Sequence, residues 1–225
     1  MSPDDTTKRT NGAAHDDHES ELDDDVLEPE RDTDHDIEPD PREAPPPEAV
    51  AELAAACVRF VAAKYKVPLD FGPDTLSLVD QYVRDARAEI AVKPDTVAIV
   101  QASIGAYLGE VMRRAFGGTW FCDGDHDGWR LDFTFVFLTF NPLGMAREAL
   151  SMEEAEGWHA HLETDPAERE MLQERLAILG ETEVDEYYAP STRFDVVEIA
   201  VDTLRARMEQ QGNADVTFGP EDYRD

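Results

Sequence analysis

Six consecutive residues offer the sharpest chemical pattern in the chain: Asp123-Gly124-Asp125-His126-Asp127-Gly128. Carboxylates at alternating positions followed by glycine are how a calcium loop of the EF-hand type opens. The pattern then breaks. With Asp123 as the first position, Thr134 falls where the loop needs a bidentate carboxylate, and the flanks alternate as strands do where the motif needs helices. A polar hairpin loop with two Asp-Gly turns accounts for these residues. Use of Asp123, Asp125 and Asp127 to hold a hydrolytic metal is the alternative.

A second cluster, His159-Ala160-His161 with Glu156 and Glu163 nearby, offers imidazole and carboxylate ligands. On a helix, residues two apart diverge by about 200° and cannot share one ion, whereas a zinc helix sets its histidines four apart. No catalytic zinc is expected, and His15, His18 and His35 read as solvated side chains among aspartates. A third pattern, Gly105-Ala106-Tyr107-Leu108-Gly109, places two glycines one helical turn apart and exposes backbone on one face. Each glycine costs about 1 kcal/mol relative to alanine inside a helix, so close approach of another element is the expected compensation. A phosphate loop would need a strand-to-helix turn, which this helical context lacks. Glu110 and Arg114 read as an ordinary pair four residues apart on a helix surface. No residue is assigned a catalytic, cofactor-binding or metal-ligating role, and no cofactor is expected.

Charge narrows the choice of partner. The chain has 225 residues, 51 acidic and 20 basic, for a net charge of −31. A field of that sign repels phosphate backbones and anionic membranes, so direct nucleic-acid or membrane binding is not expected. No basic and apolar leader opens the chain, and no run of about eighteen apolar residues could span a bilayer. With only Cys57 and Cys122, a disulfide scaffold is not expected either; two free thiols suit a cytoplasmic setting.

Composition changes abruptly near residue 48. Residues 1–49 hold 18 acidic and 4 basic residues, no aromatic, and few aliphatics. Such a segment cannot bury enough apolar surface to offset its ordering entropy, so residues 1–48 read as a disordered acidic tail stiffened at its exit by Pro45, Pro46 and Pro47. Residues 49–225 are expected to form one domain, itself acidic.

Within that domain the hydrophobic period supplies the elements. Leu53, Cys57, Phe60 and Val61 mark a helix ending before Pro68. Leu76, Val79, Val83, Ala86 and Ile90 mark a second, opened by Gly72-Pro73-Asp74. A third runs from about Asp95 to Phe116, with Gly117 or Gly118 as its left-handed cap. From Thr119 to Leu138 the period becomes two. Trp129, Leu131, Phe133, Phe135 and Phe137 read as one face of a long central strand, with Trp120 and Cys122 on an antiparallel neighbour. A further strand is expected at Val67–Phe71 or Val216–Phe218, since a lone hairpin is marginal. Ser151 with Glu154, and Asp165 with Glu168, read as two helix starts. Phe194, Val197, Val201, Leu204 and Met208 mark a last helix ending before Gly212, its apolar seam serving the core or a homodimer contact. The expected fold is a helix-dominated α+β domain on a small antiparallel sheet.

The run Ile104-Gly105-Ala106-Tyr107-Leu108-Gly109-Glu110-Val111, followed by Gly117-Gly118-Thr119-Trp120 and a strand ending in Asn141-Pro142-Leu143, resembles a loosely defined group of bacterial domains of unknown function. Pro68-Leu69-Asp70-Phe71 through Ser77-Leu78 is similar to their upstream region. The resemblance covers residues 67–150 and implies a fold and a bacterial origin, with no activity attached. Together these features point to a non-enzymatic protein-binding module, such as an adaptor, regulator, immunity or chaperone-like protein, that engages a basic protein partner through its acidic surface. The alternatives are a metal-assisted hydrolase using the Asp123–Asp127 loop and an acidic mimic of DNA.

Overall fold

A computed structural model describes residues 40–178, 180 and 182–224. Most of the expected acidic tail lies outside the described residues. The described chain is the expected α+β domain: α1 (Glu48–Tyr65), α2 (Leu76–Ile90), α3 (Val97–Phe116), β1 (Gly118–Phe121), β2 (Arg130–Phe133), β3 (Leu138–Phe140), α4 (Pro142–Ser151), β4 (Glu163–Thr164), α5 (Arg169–Ala177), α6 (Val184–Tyr187) and α7 (Pro190–Gln211). The four strands form one antiparallel sheet in the order β1-β2-β3-β4.

Helix α3 is the centre of the domain. Every residue from Gln101 to Arg113 is buried, as befits a helix packed on all sides rather than along one stripe. It packs most extensively against α1 and α4 and also touches α2, α7, β1 and β2. The two glycines explain how. A Cβ on Gly105 would collide with the Leu143 backbone, and one on Gly109 would enter the Trp120 ring. The close approach expected from their spacing is therefore made by α4 and β1. Tyr107 reaches from α3 to the loop ahead of α2, where the Phe71 N–H donates to its hydroxyl at 3.0 Å and the Phe71 ring stacks on it at 4.9 Å. These contacts hold Phe71 at φ 65°, a conformation uncommon for a side chain of that bulk.

The fold departs from expectation in three places. The stretch read as one strand from Trp129 to Leu138 is two strands with a bend at residues 134–137. The buried parity switches there: Leu131 and Phe133 face the core before the bend, Val136, Leu138 and Phe140 after it. Phe135 and Phe137 are thus only half buried, and the side chains of Arg42 and Arg205 lie over the Phe135 ring. The additional strand is Glu163–Thr164, not Val67–Phe71 or Val216–Phe218, although the Phe218 N–H does donate to the Thr134 carbonyl at 2.8 Å. No helix starts at Ser151. That residue ends α4, and Met152 turns the chain at φ 58°. Asp165 does open a turn by accepting from the Ala167 N–H at 2.8 Å, and α5 follows from Arg169.

Helix α7 buries Phe194, Val197, Val201 and Leu204 against the core, and Gly212 caps it at φ 78°. Its first turn is held from α2, where Asp80 accepts from the Ser191 N–H at 3.0 Å and the Ser191 hydroxyl at 2.5 Å. Contacts begin ahead of α1. The Arg113 guanidinium donates to the Pro41 carbonyl at 2.5 Å, so residues 40–44 are strapped to the end of α3.

Gly105→Ala should therefore force α3 and α4 apart and cost about 1–3 kcal/mol of stability, the usual range for overpacking a well-filled core. Urea titration checks this, and an unchanged midpoint would contradict so close an approach.

Candidate functional site

The bend between β2 and β3 leaves backbone groups without ladder partners, and the C-terminal segment supplies them. The Tyr223 hydroxyl donates to the Phe133 carbonyl at 2.6 Å, with the Val136 carbonyl also in reach at 3.0 Å, and it accepts from the Leu138 N–H at 3.2 Å. The Tyr223 ring lies parallel to Phe137 at 4.7 Å, and Phe218 meets Phe137 edge-on at 5.5 Å. Arg130 ties the segment down by donating to the Tyr223 carbonyl at 3.1 Å. Phe137 thus becomes a wall between two clefts.

On one side lies a groove of about 470 Å³ between the turn that joins β4 to α5, α7 and the C-terminal segment. Its floor is apolar, with Phe137, Leu204, Met208, Val216 and Phe218, and its rim carries Asp165, Glu168 and Asp222. On the other side lies a polar cleft of about 410 Å³. It is built on the outer sheet face, where Thr119, Asp132, Thr139 and Glu163 are successive cross-strand neighbours. Asp132 is buried; it accepts from the Thr139 hydroxyl at 2.5 Å and from Arg130 Nε at 3.1 Å. Burial pushes its carboxyl above the ordinary range, and the bonds from Thr139 and Arg130 offset that only in part. Trp129 forms another part of this wall, its indole N–H buried without a hydrogen-bond partner among the described residues.

The residues singled out in the sequence are dispersed. His159 and His161 lie in the irregular segment ahead of β4 rather than on a helix, and each has its own carboxylate, Glu163 at 3.2 Å and Glu154 at 2.8 Å. His159 faces the polar cleft. The Asp123–Asp127 loop is held by Asn141, whose side-chain amide donates to the His126 and Asp127 carbonyls at 2.8 and 3.1 Å while its oxygen caps α4. Among the described residues no group of three or more His, Cys, Asp or Glu side chains is placed to hold a metal ion. Burial pushes the thiols up, Cys57 to about 12 and Cys122 to about 11, so neither is a thiolate nucleophile at neutral pH.

Glu110 departs furthest from expectation. It is buried, and it pairs with Arg113 through two bonds of 2.8 and 3.1 Å and with the Trp120 indole N–H at 2.9 Å. Arg114 is only a more distant partner at 3.6 Å. The groove and its rim escaped the sequence reading, although two aromatics beyond Gly212 in a polar segment were a usable signal that the end of the chain docks.

Asp132→Asn tests the cost of burying a charge under the C-terminal segment. A carboxylate whose folded pKa is raised contributes most to stability when protonated, and that contribution is lost as pH rises through the folded value. The neutral amide should therefore be within about 1 kcal/mol of the wild type at neutral pH, or above it, and any gain should vanish in acid. Denaturant titrations across pH check this; a larger loss at neutral pH would mean that the Arg130 pair outweighs desolvation. No protein-family model, curated protein or solved structure matches the chain.

Proposed function

We propose that the chain is a non-enzymatic protein-binding module that engages a basic protein partner through its acidic surface. One observation carries this reading: the outer face of α7 presents Asp195, Glu198, Asp202 and Glu209, all exposed and, among the described residues, in no ion pair with a cation. The buried arginines do not change that balance, because each takes a carboxylate inside with it. Arg113 and Arg193 are buried against Glu110 and Glu148, and Arg87 bridges from α2 to Asp185 on α6.

An uncompensated anionic face steers a cationic partner toward the protein and repels nucleic acid and anionic lipid. The protonated thiols and the separated histidines fit a binding role better than a covalent one. Among the described residues no helix is long and apolar enough to cross a membrane, and a cytoplasmic setting belongs to the same proposal. The segment that resembles the group of bacterial domains, from Ile104 to Trp120, is the buried centre of this fold, so that likeness bears on architecture more than on partner.

The test is capture of a client followed by binding kinetics. Association should slow as salt rises from about 0.1 M to about 1 M and the screening length falls from about 10 Å to about 3 Å. Reversing charge on α7 with Asp195→Lys and Asp202→Lys should slow it at low salt, with little change in dissociation. Association indifferent to both would contradict the electrostatic reading.

A further inference from the structure

We propose that the groove between the β4–α5 turn, α7 and the C-terminal segment is the docking site of that client, and that its occupant is a basic amphipathic segment with apolar side chains flanked by lysine or arginine. The inference rests on the reading of a basic partner given above and adds where and how it is held. The groove pairs two features that a generic acidic surface lacks. Its floor is contiguous and apolar, with Val216 44% exposed beside the half-buried Met208, Phe218 and Phe137. Methionine and phenylalanine floors accept varied side chains, because the thioether adapts its shape and the rings offer flat contact.

The rim then selects charge. Asp165 on the β4–α5 turn and Asp222 on the C-terminal segment are exposed, and Glu168 lines the same groove. Glu168 already shows how a cation sits there: the Arg207 guanidinium lies 3.4 Å from one of its oxygens, and the Gln211 side-chain amide donates to the other at 3.2 Å. A cationic side chain of a partner would extend that arrangement. A second copy of this chain, at −31, would instead bring like charge against the rim. An acidic peptide is disfavoured for the same reason. Apolar anchors in a pocket with charges at its edge are the usual division of labour in peptide recognition, the anchors giving affinity and the edge giving specificity and association rate.

The experiment uses the full chain, isotopically labelled, with three synthetic peptides: an amphipathic helix of leucine and lysine, its twin with glutamate for lysine, and a lysine peptide with serine for leucine. The leucine–lysine peptide should shift the backbone amide resonances of Ala167, Val216 and Phe218. Its affinity should fall at least about tenfold in a Val216→Ser, Met208→Ser variant whose melting temperature and amide spectrum away from the groove show the fold intact, a difference of about 1.4 kcal/mol. Asp165→Asn with Asp222→Asn should flatten the salt dependence. Shifts confined to the outer face of α7, with unchanged affinity in the serine variant, would overturn the groove while leaving the acidic reading in place. Equal binding by the serine–lysine peptide would also overturn it, since the floor would be unused. Equal binding by the leucine–glutamate peptide would overturn the charge selection. Failure of both lysine peptides to bind at low salt would overturn the acidic reading itself, and the groove with it.

Discussion

Scarcity of positive charge is the constraint on which this structure turns. With 20 cations against 51 anions, each arginine has many possible partners, and the fold commits several to its interior. Arg113 and Arg193 are almost fully buried against Glu110 and Glu148. A carboxylate taken out of water costs several kcal/mol unless it is paired and its remaining acceptors are filled, and here they are filled: Trp120 serves Glu110, and the Ala155 N–H serves Glu148. Each of these pairs takes one carboxylate inside with its arginine and so leaves the excess of negative charge on the exterior. That exterior is strongly anionic, which weakens the compact state by self-repulsion.

The rest of the architecture follows from how α3 is enclosed. Because Gly105 and Gly109 let α4 and β1 come within reach of its backbone, the Glu110 carboxylate is sealed from solvent and must be satisfied by Arg113 and Trp120. Arg113 in turn fastens the chain at Pro41. On the far side of the sheet the dependence runs through Tyr223. Its hydroxyl serves three backbone groups around the β2–β3 bend, so the bend and the C-terminal segment support each other. The groove exists because that segment stands off from the β4–α5 turn and α7 after Gly212 while Phe218 and Tyr223 anchor it at Phe137. Core packing and groove are therefore joined through one aromatic residue.

Much of this was legible in the sequence where local physics decides. The periods of Leu76 to Ile90 and of Phe194 to Met208, the proline at the entry to α2 and the glycine beyond α7 placed those helices, because each signal acts within a few residues. The glycine pair announced a close approach, though not what approaches. The bend at residues 134–137 was half visible: Val136 and Leu138 carry the apolar pattern on the opposite parity from Leu131 and Phe133. A continuous strand and a parity switch differ only in the partner that satisfies the bend, and that partner, Tyr223, lies 87 residues from Val136. Glu110 was read as a surface pair for the same reason. Spacing shows which residues neighbour it on the helix, whereas its burial depends on Trp120 and on strands that close over it; the near absence of charge from Gln101 to Met112 was the one local hint.

The central claim, that the exterior is anionic and uncompensated by cations, is tested most directly by the melting temperature of the full chain as a function of sodium chloride. Screening shortens the reach of exposed charges far more than that of buried pairs. If repulsion among surface carboxylates dominates, the melting temperature rises with salt, most steeply below about 0.2 M where the screening length shrinks toward the spacing of neighbouring charges. A melting temperature that is flat or falls over that range would mean that attractive surface pairs balance the repulsion, and the account of an uncompensated acidic face would be wrong.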